Sequence, residues 1–254
     1  MMNIETLAER LDTAAMSARA IPQLSQEFEM QLDDAYRVQA ASIERRLSRG
    51  DRRVGTKMGF TSRAKMLQTG VSDMIWGRLT MSMMIEEGGS ISLADFIHPR
   101  VEPEVVFLMR KRLVGKVSLP EALDAVEAVA CALEVIDSRY EAFKFSLSDV
   151  VADNASSSGF AIGPWRKPDT EISNLGMILS VNGRPQAFGS TATILGHPLR
   201  ALVAAARVVA DAGESLESGS IVMAGAATAA IPLAQEQHIN LEAESLGSVQ
   251  FTVR

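Results

Sequence analysis

The residues best suited to chemistry lie in the run Val101-Glu102-Pro103-Glu104-Val105-Val106-Phe107-Leu108. Side chains alternate along a strand, so Glu102 and Glu104 share one face, which continues with Val106 and Leu108. Two like charges that close repel, and a cation is one natural way to keep both ionised. The alternative is a strand end whose carboxylates are simply hydrated. Pro103 has no amide hydrogen for a ladder, which predicts a sheet edge or a bulge there. A third acid, Glu134, stands in Cys131-Ala132-Leu133-Glu134-Val135-Ile136-Asp137, where its neighbours up to Asp137 are apolar. Such an acid is seldom buried unpaired, so it either joins a metal set or forms a salt bridge to Arg139 or another base. Three carboxylates without a His or Cys partner favour a hard cation, Mg²⁺ or Mn²⁺, over Zn²⁺.

Two more stretches carry usable groups. Gly55-Thr56-Lys57-Met58-Gly59-Phe60-Thr61-Ser62 sets a lysine between glycines, either in a surface turn or reaching into a pocket. Asp149 to Gly159 packs small hydrogen-bonding residues beside a turn, fit to cap a helix, build a loop or hold an anionic ligand. The histidines, His98, His197 and His238, are scattered, and two of them precede prolines, which suits loops better than ligands. Phosphate-loop, dinucleotide, nucleophile-elbow and H-E-x-x-H patterns are absent.

Helices and strands must position these groups. Ile4, Leu7, Leu11 and Ala14 follow helical spacing up to the break at Pro22, and Leu32 to Leu47 does so up to Gly50. From Val54 short apolar segments alternate with Gly and Pro turns, as in β structure. Strands are predicted at Val101–Met109, Ile221–Ala224 and Val249–Val253. Asn182-Gly183 predicts a hairpin between Met177–Val181 and Arg184–Phe188. Helices are predicted over Leu119–Ala132 and Pro198–Ala212. The expected organisation is an α+β chain, with a helical N-terminal part over residues 1–53 and a mainly β catalytic domain over 54–254.

Bulk composition narrows the function class. The chain has 254 residues, 25 Lys+Arg against 31 Asp+Glu, and a net charge of −6. That acidic balance argues against nucleic-acid binding. No apolar stretch approaches an uncharged membrane span, the richest being Ala201–Ala212 with Arg207 inside it. The first residues lack the apolar centre of a signal peptide. One cysteine, Cys131, excludes an internal disulfide and a Cys-based zinc cage. A cytoplasmic protein is expected, with no nucleic-acid or membrane partner.

Four pieces in order, K-M-G-F-T-S, H-P-R-V-E-P-E-V-V-F, A-L-E-V-I-D-S-R-Y and V-A-D-N-A-S, resemble the hydratase/decarboxylase family of meta-cleavage pathways, within the fumarylacetoacetate-hydrolase-like superfamily. The resemblance runs nearly end to end. It implies a mixed β-roll core and a Mg²⁺ (or Mn²⁺) site made by Glu102, Glu104 and Glu134. It also implies a catalytic Lys57 and a substrate pocket built with Asp153, Asn154 and Ser156. A basic residue such as Arg78 or Arg139 is expected to orient the distal carboxylate. Hydratases of this family read P-D-F-G after the lysine and the decarboxylases P-I-[WY]-G. The stretch here is Met74-Ile75-Trp76-Gly77, closer to the latter. The implied activity is decarboxylation of a small-molecule 2-oxo dicarboxylate, 2-oxo-3-hexenedioate, with hydration of 2-hydroxypenta-2,4-dienoate as the alternative. A metal-binding but silent subunit is a third reading. A homo-oligomer and a complex with the pathway hydratase are the partners implied. The tail departs from the Gly-rich turns expected before the last strands, with Gln235-Glu236-Gln237-His238 there instead.

Overall fold

The structure, a computed structural model, describes residues 3–62 and 74–254. Helix α1 spans Ile4–Ser17, started by Asn3, whose side chain accepts from the Thr6 amide at 3.3 Å. Helix α2 spans Leu32–Ser48. Then come β1 (Arg53–Gly59), β2 (Ile75–Thr80), β3 (Ser90–Ile91), β4 (Arg100–Met109), α3 (Leu119–Asp124), β5 (Val126–Ile136), α4 (Leu147–Ala152) and β6 (Ser157–Ile162). The chain continues through β7 (Gly176–Val181), β8 (Arg184–Ser190), α5 (Pro198–Asp211), β9 (Ile221–Ala226), β10 (Ile231–Pro232), β11 (Gln237–Ala243) and β12 (Gly247–Val253).

The larger sheet runs β2-β1-β9-β4-β5-β6, with β10 beside β4. Its β1–β9 pair is parallel and its other pairs are antiparallel. The smaller sheet runs β3-β12-β11-β7-β8. Beyond β2 the chain turns to meet the far edge, where the Ile85 amide donates to the Phe160 carbonyl at 2.7 Å. The large sheet is thereby curled into a roll. Its convex face shares one core with the small sheet and α5, including Val105, Phe107, Leu133, Leu179, Leu202 and Phe251. The helices α1 and α2 pack on another cluster with Ile75, Tyr140 and Val151. Buried Gln39 of α2 ties them down, its amide donating to the carbonyls of Trp76 (3.1 Å) and Val151 (2.7 Å).

Several expectations need correction. The run Leu119–Ala132 is not one helix. Only Leu119–Asp124 is helical, behind a Ser118–Glu121 capping box, and Val126 onward is strand β5. Its Ala, Glu and Leu residues favour helix, but pairing with β4 and β6 on both sides overrides that preference. Strand β4 is not an edge: it lies between β9 and β5. The bulge alternative holds, because the register on β9 shifts between Glu104 and Val106, beside Pro103. The tail segment around His238 opens a seven-residue strand, β11. Finally, Thr191–Asp211 does have the length and apolarity of a membrane span, contrary to expectation. In this fold Leu199, Leu202, Ala205, Ala206 and Val209 of α5 are buried in the main core. The Asn182-Gly183 hairpin forms as expected, with φ of 51° and 73° at the two turn residues.

Candidate active site

The concave face of the roll collects the charged residues. Glu102 on β4 stands directly opposite Glu134 on β5, and Glu104 stands opposite Ala132. Alternation puts Glu102, Glu104 and Val106 of β4 on one face with Ala130, Ala132 and Glu134 of β5. Val106, Ala130, Ala132, Phe160 and Met223 form an apolar floor below the acids, closed by Leu79, Met83 and Ile43. Lys57 enters from β1, where it pairs with Gly77 of β2.

All four charged groups are removed from solvent: Lys57 is 3% exposed, Glu102 8%, and Glu104 and Glu134 0%. Lys57 is therefore not in a surface turn. Its Nζ lies 3.1 Å from Glu134 Oε2. Lys57, rather than Arg139, is thus the base that meets Glu134. One carboxylate oxygen from each of Glu102, Glu104 and Glu134 lies within 4.8 Å of the others. Glu104 Oε2 accepts from the Gly225 amide at 2.8 Å. Glu104 Oε1 and Glu134 Oε1 are buried and have no hydrogen-bond partner among the described residues. Three buried carboxylates thus converge within reach of one another, with Lys57 paired to one of them. Burial, then the nearby Glu134 charge, push the Glu104 carboxyl well above the usual carboxylate value, against the opposing pull of Lys57. Two buried carboxylate oxygens without a partner among the described residues, within a cluster of three converging glutamates, fit a hard divalent cation held by oxygen ligands.

A strap from Asp153 to Ser157 forms the next wall. Asn154, Ala155 and Ser156 all adopt left-handed backbone, with φ of 52°, 50° and 59°. A run of such residues is costly and persists only where surroundings enforce it. The Asn154 side chain supplies part of that enforcement. It accepts from the Arg78 amide at 2.7 Å and donates to the Arg78 carbonyl at 2.9 Å. Gly77 makes room, since a Cβ there would lie 2.5 Å from the Asn154 carbonyl oxygen.

Among the other pocket residues expected from the sequence, Asp153 and Arg139 engage each other. The Arg139 amide donates to Asp153 Oδ2 at 2.9 Å, and the Arg139 guanidinium donates to Asp153 Oδ1. Burial pushes the Asp153 carboxyl up to about 6 despite that guanidinium. The Ser156 hydroxyl is buried and has no hydrogen-bond partner among the described residues. None of the histidines joins the triad. His197 Nδ1 accepts from the Leu199 amide at 3.0 Å as the cap of α5, and His238 Nε2 lies 3.0 Å from Gln250. The His98 ring packs against Phe143.

Two site residues escaped the sequence reading. Gly225 has φ of 103°, which turns its amide toward Glu104, and a Cβ there would lie 1.9 Å from Thr61 Oγ1. Their only signal was a glycine inside an apolar strand pattern, which marks close backbone approach. Ile75, where family hydratases carry an acid, lies on the Lys57 face of β2, opposite Gly59. It is buried and apolar.

The family model of the fumarylacetoacetate (FAA) hydrolase C-terminal domain matches residues 53–254. A 4-oxalocrotonate decarboxylase of Pseudomonas sp is 57% identical over 251 residues, covering 99% of this chain and 98% of the relative. A 2-keto-4-pentenoate hydratase of Paraburkholderia xenovorans is 36% identical over 226 residues, covering 87% of this chain and 84% of the relative. The solved 4-oxalocrotonate decarboxylase from Pseudomonas putida G7, complexed with magnesium and adipate, superposes with a TM-score of 0.97 at 36% identity. The match covers 100% of this chain and 99% of that one. Motifs, fold and full-length similarity agree, and the chain belongs to the fumarylacetoacetate hydrolase family.

Proposed function

We propose that this protein is a Mg²⁺-dependent carbon–carbon lyase that decarboxylates 2-oxo-3-hexenedioate (4-oxalocrotonate) to 2-hydroxypenta-2,4-dienoate and CO₂ in meta-cleavage catabolism. The single observation that carries this reading is the buried Glu102–Glu104–Glu134 triad with Lys57 at 3.1 Å. It is supported by full-length similarity to decarboxylases, one of them solved with magnesium and a dicarboxylate.

Glu102, Glu104 and Glu134 would hold the cation. When bound, Mg²⁺ would supply positive charge to stabilise the negative charge that develops on the 2-oxo acid. The bond between C5 and the departing carboxylate breaks, and its electrons move through C4 and C3 onto the 2-oxo oxygen. Lys57 adds positive charge beside that oxygen, or delivers the proton that completes the product. The Asp153–Ser157 strap lines the substrate, with the free Ser156 hydroxyl as the donor it offers. Asp153 and Arg139 hold the strap through each other, and Asn154 holds it through β2. Ile75, buried and apolar, stands where the resembled hydratases carry an aspartate, which favours decarboxylation over hydration.

Residues 54–254 are the catalytic part, a division supported by the span of the family model. Helix α2 braces β2 through Gln39. The enzyme acts in the cytoplasm as a homo-oligomer and associates with the pathway hydratase. Phe188, 72% exposed on the edge strand β8, supports an interface of this kind.

Separate incubation with 2-oxo-3-hexenedioate and with 2-hydroxypenta-2,4-dienoate tests the assignment. Release of CO₂ from the first is expected. Formation of 4-hydroxy-2-oxopentanoate from the second, without CO₂ from the first, would replace the decarboxylase reading by the hydratase one.

A further inference from the structure

A cavity of about 660 Å³ opens between α1, α2 and the segment that follows β2. Neither Lys57 nor any of the three glutamates lines it, but Arg46 and Arg139 both do. Its size falls in the range of small-molecule sites.

Arg46 is the unusual group. It is partly buried on α2, yet its guanidinium has no hydrogen bond or ion pair among the described residues. The acids near it are committed elsewhere. Asp12 accepts both guanidinium nitrogens of Arg49 at 2.7 Å, and also Arg45. Asp51 accepts the Ser82 hydroxyl at 2.5 Å and the amides of Arg52 and Ser82. Asp137, which also lines the cavity, accepts the amides of Ile97 and His98 at 2.8 Å each. Glu86 and Asp95 complete the acidic lining and are exposed to solvent. Arg46 instead faces Arg139. Burial and that like charge hold the Arg46 guanidinium below its usual value.

A desolvated cation facing another cation is unfavourable unless an anion meets it. Arg139 has already given most of its donors to Asp153 and the Ser158 hydroxyl. The open fork is that of Arg46, and one planar guanidinium matches one carboxylate with two parallel hydrogen bonds. We infer that the Arg46 cavity is a second binding site, distinct from the Lys57–glutamate centre, for a small organic carboxylate. Its carboxylate pairs with Arg46 and is drawn in by the adjacent Arg139 charge.

Calorimetric titration of the full chain with adipate tests this, after metal is removed with EDTA. EDTA removes the cation that would hold a carboxylate at the triad. One equivalent is expected to bind the unaltered protein. Arg46→Gln is expected to weaken binding by about tenfold or more, and Arg46→Lys by less, because it keeps charge but loses the fork. Lys57→Ala is expected to leave binding unchanged. Since Arg46 has no counter-ion among the described residues, Arg46→Gln is also expected to leave the thermal midpoint of the ligand-free protein unchanged or raised. Equal binding by Arg46→Gln, loss of binding in Lys57→Ala, a clear fall in that midpoint, or no binding at all would each overturn the proposal. Inorganic phosphate binding as tightly as adipate would overturn the carboxylate assignment. None of these readouts involves turnover, so their failure leaves the lyase assignment standing.

Discussion

Lys57 Nζ meets Glu134 Oε2 at 3.1 Å although their strands stand three steps apart in the sheet. In a flat sheet those strands would be separated by about 14 Å, beyond the joint reach of the two side chains. Curling of the sheet creates the contact. The contact therefore reports directly on the shape of the roll as well as on the charge of the site.

Replacing Lys57 with Met removes the cation that meets the buried Glu134 carboxylate. The expected result is a metal-free protein destabilised by about 3 kcal/mol, read from denaturant unfolding. Turnover of 2-oxo-3-hexenedioate with saturating Mg²⁺ is expected to fall by about 10²–10⁴-fold. Full turnover would remove Lys57 from the chemistry.

Glu104 makes the stability of the metal-free protein depend on pH. Its folded value is raised above the ordinary 4.5. Between those two values the folded state keeps a proton that the unfolded state has lost. Its contribution is fully present below 4.5 and is lost as pH rises through the raised folded value. The thermal midpoint of the metal-free protein is expected to fall as pH is raised from about 5 to about 8. Glu104→Gln is expected to flatten that fall and to weaken Mg²⁺ binding by about 100-fold, measured calorimetrically. An unchanged Mg²⁺ affinity would take Glu104 out of the ligand set.

Gly225 and Thr61 set the orientation of the amide that Glu104 accepts. Gly225→Ala puts a Cβ against Thr61 and strains a backbone with φ of 103°. Mg²⁺ affinity is expected to drop by about tenfold, through loss of a hydrogen bond to a charged group. Adding Thr61→Gly removes the clash but not the strain, so partial recovery is expected.

The strap prediction concerns Asn154. Asn154→Ala removes two buried hydrogen bonds to the Arg78 backbone and should destabilise the protein by about 2 kcal/mol. Because Ser156 follows two residues later, KM for the dicarboxylate is expected to rise as well. A stability loss with unchanged kinetics would show that the strap only supports the fold.

Local pattern made part of this legible. Glu102 and Glu104 share a face because strands alternate, and Asn182-Gly183 turns a hairpin because both residues tolerate positive φ. The four ordered motifs indicated Lys57 and Glu134. What local pattern could not reveal was long-range pairing. The helix-favouring residues after Val126 became the central strand β5 because β4 and β6 flank it. Arg139 and Asp153 read as binding groups, yet their mutual hydrogen bonds appear only once the chain folds back. The approach of Thr61 to Gly225 joins residues far apart in sequence, so no spacing rule announces it.

The most direct test of the central claim is CO₂ release from 2-oxo-3-hexenedioate by the unaltered protein, followed while Mg²⁺ is removed with EDTA and restored. Release is expected to stop on removal, to return on restoration, and to stay low in Glu104→Gln at the same Mg²⁺ concentration. Release that persists in EDTA, or unchanged release by Glu104→Gln, would contradict it.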